Sequence, residues 1–358
     1  MVLDFAKEAI ENAEAHSINF NELKAGKANI KVFGIGGSGC NSVTWLFNKG
    51  ISGATIYGAN TDALHLSITK SDEKLLIGKE LTRGLGAGGY PQKGREAAKE
   101  SLGEIKKAVS GSDMSFVITG MGGGTGTGAA PVFAQMAKEA GSVVIGVCTM
   151  PFESEKSRID KAEFGLQELR ECSDTCIVID NNKLVDIAGN LPMEQAFAVA
   201  NELVSTMIKG IVETITLPSL INLDYADVSA IMKNGDVAVI GIGESDTANR
   251  VDEAVRQALT HPLLDVDYRG ATGALIHITC GPDMKLDEFD CIGKMITEHL
   301  SPEAQVIIGA RINKESAGRI RVITIMTGVK SPYVLGKPAF ESTALQPEIS
   351  DLGIETFR

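Results

Sequence analysis

The sequence predicts an α/β protein: a parallel, doubly wound sheet, then one long central helix, then a smaller α+β unit. Three observations carry this. Short runs rich in β-branched residues alternate with helical stretches through the first half of the 358 residues, the order of a parallel sheet covered by helices. Residues Leu191–Thr216 keep apolar side chains at helical spacing with few charges, so this helix belongs between layers, not on a surface. Two glycine loops each sit between a strand-like and a helix-like run, which is where such sheets bind ligands.

Residues 1–28 are polar and helix-prone, with Leu3, Phe5, Ala6, Ala9, Ile10 and Ala13 in an approximate stripe, and read as an N-terminal extension. Strands are predicted at Ile30–Ile35, Ala54–Ala59, Lys74–Ile77, Ser115–Thr119, Val143–Cys148 and Thr175–Ile179, with helices between most of them, for example Gly94–Val109 and Gly126–Ala140. These make a first domain, 29–190. The central helix occupies 191–217, and Pro218 helps end it. The second unit, 218–330, has strand-like runs at Val237–Ile242, Gly273–Thr279, Val306–Ala310 and Arg319–Met326 and helices at Asp252–Thr260 and Leu286–His299. Residues 331–358 contain three prolines and no periodicity, and read as a flexible tail.

Composition narrows the function. The net charge of −12 disfavours nonspecific nucleic-acid binding. No apolar run approaches the roughly 18 residues that cross a bilayer, and the N-terminus lacks the apolar core of a signal peptide. A cytoplasmic protein without direct membrane insertion is expected. The six cysteines are scattered, and Cys172 and Cys176 have no histidine beside them. Reduced, buried thiols are expected, not a metal site.

The first glycine loop is Gly34-Ile-Gly36-Gly37-Ser38-Gly39-Cys40-Asn41, after a strand and opening a helix. Glycines let backbone N–H groups approach an anion, and the helix N-terminus adds its positive dipole. Gly34-x-Gly36-x-x-Gly39 matches the dinucleotide fingerprint, with Asp62 placed where a ribose-binding acid could lie. A tight turn without a ligand is the competing reading. Cys40 and Asn41 exclude a Walker A loop. The second loop, Gly120-Met-Gly122-Gly123-Gly124-Thr125-Gly126-Thr127-Gly128, adds hydroxyls to a run of amides and forms a stronger phosphate cradle. Two such loops suggest a triphosphate gripped from both sides. A third, Gly84-Leu-Gly86-Ala87-Gly88-Gly89-Tyr90-Pro91, could close over the terminal phosphate or be an ordinary surface loop. A nicotinamide-dependent oxidoreductase is the rival class, but the five histidines show no catalytic arrangement.

Gly122–Gly128, written GGGTGTG, is the signature of the tubulin/FtsZ superfamily. The likeness runs over about 29–329: Asn60-Thr61-Asp62, GLGAGG, GGGTGTG, Pro151-Phe152, the long helix and Asn222-Leu-Asp224-Tyr-Ala-Asp227 come in family order. The chain resembles cell-division FtsZ proteins, and stretches such as TLPSLINLDYAD resemble the archaeal ones. The resemblance implies a GTP-binding domain, a central helix and an activation domain, with GTP or GDP and Mg²⁺ as cofactors. It implies head-to-tail self-assembly into protofilaments and a ring at the mid-cell division site.

Carried over position by position, the resemblance gives Gly36, Gly37, Ser38, Gly39 and Cys40 to the phosphates, and Asn41 to the guanine side. Gly123, Gly124, Thr125, Gly126, Thr127 and Gly128 also serve the phosphates. Asn60 and Asp62, and Gly86, Ala87, Gly88 and Gly89 of the third loop, complete the nucleotide set. Glu155 and Arg158 would contact the ribose, Phe197 would stack on the base, and Asn201, one turn on, would hydrogen-bond it.

Asn222, Asp224 and Asp227 are the catalytic candidates, since a carboxylate can orient or deprotonate the attacking water. They lie just after the central helix, in a stretch rich in strand-type residues. Chain order does not place them beside the glycine loops; the family implies that they serve the next subunit's nucleotide. An acidic turn with Asn/Asp caps is the alternative. A non-hydrolysing relative is a third possibility, and the intact trio argues against it. Two features depart from the family. Glu155-Lys156-Ser157-Arg158 is one residue shorter than usual, and Tyr90 stands where asparagine is common. In the tail, Leu352, Ile354 and Phe357 could dock a membrane-anchor division protein, or the end could have no partner.

Overall fold

A computed structural model describes residues 28–217, 219–221, 223–233, 236–260, 268 and 270–329. Residues 1–27 of the N-terminal extension, Pro218, the catalytic candidate Asn222 and the tail peptide 331–358 lie outside the described residues.

The chain opens with β1 (Ile30–Ile35), α1 (Gly36–Lys49), β2 (Ala54–Asn60), α2 (Ala63–Ile68), β3 (Glu73–Leu76) and α3 (Lys79–Thr82). Next come α4 (Pro91–Glu100), α5 (Leu102–Val109), β4 (Met114–Gly120), α6 (Thr125–Glu139) and β5 (Val143–Met150). A 3₁₀ turn (Glu153–Arg158) leads into α7 (Ile159–Cys172), β6 (Thr175–Asp180), α8 (Asn181–Ala188) and the long α9 (Met193–Thr216). The remainder is α10 (Tyr225–Lys233), β7 (Asp236–Ser245), α11 (Arg250–Leu259), β8 (Gly273–Cys280), α12 (Leu286–Thr297), β9 (Gln305–Ile312) and β10 (Ile320–Thr327).

The strands form one sheet in the order β3-β2-β1-β4-β5-β6-β7-β10-β8-β9. Pairings are parallel from β3 through β7, while β10 runs antiparallel to both β7 and β8. The order reverses between β1 and β4. In a doubly wound sheet that reversal opens a crevice at the carboxyl ends of the strands, and β1 and β4 are the strands that carry the first two glycine loops.

Strand residues alternate between two cores, as a period of two requires. Phe116, Ile118, Ile145 and Val147 face one core; Val117, Val144 and Cys148 face the other. Both faces are covered, so the strands read as continuous apolar runs. Helix α9 fills the first core with Leu203, Val204, Met207, Ile208 and Ile211, which share it with Ile30 and Val32 of β1 and with Leu275, Ile323 and Ile325 of the second unit. Each such buried side chain contributes roughly 1.5–3 kcal/mol, so α9 is the element that binds the two halves.

Two expectations need correction. Gly94–Val109 is not one helix: Ser101 divides α4 from α5, its hydroxyl accepting the Gly78 N–H at 3.0 Å. The stretch after α9 is helical from Tyr225, because Asp224 caps it: its Oδ1 accepts the Asp227 N–H at 2.8 Å. The strands of the expected smaller α+β unit also continue the first sheet, since Asp236, Val237 and Ala238 pair with Thr175, Cys176 and Ile177.

Candidate functional site

The site is assembled by the first two glycine loops. β1 ends at Ile35, the chain turns through Gly36 at φ +74°, and α1 begins. β4 ends at Gly120, and α6 begins at Thr125. The loops touch: a Cβ on Gly36 would come 2.8 Å from the Gly126 nitrogen, and one on Gly120 would come 2.6 Å from the Ser38 Cβ. A Cβ on Gly37 or Gly123 would meet nothing within 4 Å. The loops are thus packed against each other on one side and bare on the other. Two helix N-termini direct backbone donors and dipoles to the same place, an anion-binding arrangement.

That bare side opens on a cleft of about 310 Å³. Gly37, Ser38, Gly123, Gly124, Thr125 and Gly126 line it, with Glu155, Arg158 and Phe197. Phe197 is 38 % exposed and meets Phe152 edge-on, ring centres 5.9 Å apart. Glu155 and Arg158 pair at 2.7 Å, so the shortened spacing still brings both side chains to the cleft. Asn201 lies one turn beyond Phe197, and the Ser42 hydroxyl donates to its Oδ1 at 2.8 Å, which turns the Nδ2 end of the carboxamide away from α1.

The other candidates sit around this cleft without lining it. The Cys40 sulfur is buried against the Ala59 and Gly34 carbonyls, and burial pushes the thiol up to about 11, so the side chain faces the interior and not the cleft. Asn41 is exposed in the first turns of α1. The Asn60 carboxamide accepts from the Thr61 and Asp62 N–H groups, and Asp62 caps α2 by accepting from His65 N–H at 3.0 Å. These side chains shape the β2 end, which is tied to the second loop where the Thr61 and Thr125 hydroxyls meet at 2.6 Å. Thr127 and Gly128 turn into the protein: a Cβ on Gly128 would come 1.9 Å from the Pro91 carbonyl, and the buried Thr127 Oγ1 has no partner among the described residues.

Gly86, Ala87, Gly88 and Gly89 lie against the outside of the second loop, since a Cβ on Gly124 would come 2.8 Å from the Ala87 Cβ. This third loop is latched from α7: Lys161 Nζ donates to the Gly89 carbonyl at 2.9 Å and stands 5.8 Å from the centre of the Tyr90 ring. Sequence reading missed Lys161. It also missed Thr149 and Asn181 as cleft residues. The one signal for Asn181 was an Asp-Asn-Asn run directly after a predicted strand.

Asp224 and Asp227 are far from the cleft. The Tyr225 hydroxyl donates to the carbonyl of Asp113, just before β4. Gly120 is at the other end of that seven-residue strand, about 20 Å away. The acids and the glycine loops therefore occupy opposite ends of the same sheet.

Residues 29–189 match the family model of the tubulin/FtsZ family, GTPase domain, and residues 236–330 match that of the FtsZ family, C-terminal domain. The chain is 51 % identical to cell division protein FtsZ 2 of Methanocaldococcus jannaschii, covering 94 % of this chain and 89 % of that protein. It is 51 % identical to cell division protein FtsZ 1 of Archaeoglobus fulgidus, over 88 % of this chain and 86 % of that one. Among solved structures, an empty FtsZ dimer from M. jannaschii superposes with a TM-score of 0.81 at 48 % identity, covering 90 % and 92 % of the two chains.

Proposed function

Since the chain belongs to the tubulin/FtsZ family and carries both its GTPase domain and the FtsZ C-terminal domain, we propose that it is a polymerising cell-division GTPase whose hydrolytic site is completed by a second copy. The observation that carries this reading is the separation of glycine cleft and acidic turn at opposite ends of one sheet. No single chain can bring Asp224 to a nucleotide in its own cleft. Head-to-tail stacking, a heterologous contact that generates filaments, would do so at every junction.

In this account the GTP phosphates lie on the amides of Gly37–Gly39 and Gly123–Gly126, which stabilise charge as it develops on the phosphoryl oxygens. Glu155 and Arg158 face the ribose, and Phe197 and Asn201 hold the base. Among the described cleft residues Glu155 supplies the one carboxylate, and it is paired with Arg158. Mg²⁺ fits here as an ion brought in by the nucleotide, where it neutralises phosphate charge. Asp224 and Asp227 of the incoming copy, with Asn222, orient and deprotonate the attacking water. Hydrolysis then weakens the junction and the filament turns over.

The division of labour follows: 29–190 binds GTP, 191–217 is the connecting helix and 218–330 is the activation domain. We place the filament in a ring at the division site, with the tail as the peptide that meets a membrane anchor. Among the described residues no helix is long and apolar enough to cross a membrane. Deleting 346–358 should abolish anchor capture and leave GTP hydrolysis intact; unchanged capture would remove the tail from the account. The assembly mechanism is tested by the GTPase rate per molecule against protein concentration. It should rise above a threshold, and a rate independent of concentration would contradict a shared site.

A further inference from the structure

A second cavity, of about 450 Å³, lies between the C-terminal half of α9 and strands β8 to β10. It falls within the ~300–1,000 Å³ of small-molecule sites. Five cations line it: Lys49, Lys209, Arg311, Arg319 and Arg321. The lining carboxylates are Glu213 and Glu244. In a chain of net charge −12 this is a local reversal of sign.

The two carboxylates are shared. Glu213 meets Lys209 at 3.7 Å and Arg311 at 3.2 Å. Glu244 meets Arg319 at 3.0 Å and Arg321 at 2.6 Å. Each can balance one of its two cations. Outside the lining, Lys49 pairs with Glu202, and Arg319 reaches Asp246 at 3.8 Å. A buried histidine completes the lining. His277 of β8 lines the cavity at 5 % exposure, and its Nε2 is 3.3 Å from the Thr279 hydroxyl. Its Nδ1 is buried with no partner among the described residues. Buried polar atoms in folded proteins are nearly always satisfied, by protein or by ordered water. Burial and the Arg311 charge hold the ring at about 4, so at neutral pH it is uncharged and offers a neutral N–H donor.

We propose that this cavity binds a compact anion bearing two or more phosphate or carboxylate groups, held by Lys209, Arg311, Arg321 and His277. Guanidinium forks suit both groups, since they accept two parallel N–H bonds. Helix α9 carries Phe197 and Asn201 near one end and Lys209 and Glu213 near the other. An occupant would therefore tie the helix that reaches the nucleotide cleft to the sheet of the second unit.

The chain has a built-in reporter. Its one tryptophan, Trp45, donates to Glu202 at 2.7 Å, and Glu202 holds Lys49 at the cavity. The probe is pyrophosphate, titrated at constant ionic strength into the full chain saturated with GDP, so that the nucleotide cleft is already filled. Trp45 fluorescence and calorimetry should show one saturable site with a midpoint below about 1 mM and GDP still bound. The Arg311→Gln/Arg321→Gln double variant should weaken it about tenfold or more. Lys209→Met, and His277→Phe, which fills the cavity while keeping every cation, should weaken it too if the double variant does not fold. Binding of citrate in place of pyrophosphate would assign the site to a carboxylate ligand. No saturable response to either anion up to about 10 mM, or the same midpoint in all folded variants, would overturn the proposal.

Discussion

Asp224 has two candidate roles, and one pair of substitutions separates them. Its Oδ1 caps α10 through the Asp227 N–H at 2.8 Å, and the proposed mechanism also needs its charge at the next subunit's nucleotide. Asparagine caps a helix about as well as aspartate, whereas alanine costs about 0.5–2 kcal/mol. Asp224→Asn should therefore unfold with wild-type stability, and Asp224→Ala about 1 kcal/mol earlier, in urea titrations of unassembled protein. Loss of a general base costs roughly 10²–10⁴ in rate. Both variants should lose GTPase activity by that factor at concentrations well above the assembly threshold, while still binding GTP. If Asp224→Asn hydrolyses GTP normally and only Asp224→Ala is impaired, in step with its stability, Asp224 is a helix cap and not part of the active site.

Gly36→Ala should destabilise the fold by about 1–3 kcal/mol, since φ is +74° and the Cβ meets Gly126. Gly37→Ala should unfold like wild type yet bind GTP more weakly; thermal melts with nucleotide titration check both. Phe197→Ala should weaken guanine-nucleotide binding by about 1–3 kcal/mol, the worth of one base stack, with little effect on stability because the ring is 38 % exposed. Titration with GDP and with inorganic triphosphate separates the lost stack from the phosphate contacts. The His277 ring is held at about 4, below its ordinary 6.5, so the unfolded chain takes up a proton first as pH falls. Stability from this group is full above about 6.5 and lost towards 4, by up to about 3 kcal/mol. Urea unfolding of wild type and His277→Asn across that window should show the loss only in wild type.

Much of the fold was legible because its strands are buried on both faces. Continuous apolar runs such as Val143–Cys148 have few other readings, and β1 spans the predicted Ile30–Ile35. The glycine loops were legible because closely packed backbones leave no room for a Cβ, which restricts the residue type more tightly than packing restricts a core position. What depended on distant partners was not legible. Helix α4 gives way to α5 at Ser101, where the hydroxyl accepts from Gly78, 23 residues away in the chain. The strands of the second unit join the first sheet through three pairs that no local pattern encodes. Lys161 reads as one more surface lysine until α7 lies beside the third loop. Tyr225–Lys233 follows acids in a stretch rich in strand-type residues, but a cap at Asp224 starts a helix. The two cations each on Glu213 and Glu244 come from α9, β9, β10 and the residue before β10, so the anion cavity leaves no motif.

The central claim is that cleft and acids act in different copies. The direct test mixes two variants that are inactive alone: Gly36→Val, with a broken cleft and an intact acidic turn, and Asp224→Asn, with the reverse. In a random head-to-tail filament about a quarter of junctions pair an intact cleft with an intact acid. Activity in an equal mixture should therefore return to a comparable fraction of wild type and require concentrations that permit assembly. A mixture as inactive as its parts, with both variants shown to enter the same filaments, would contradict the account.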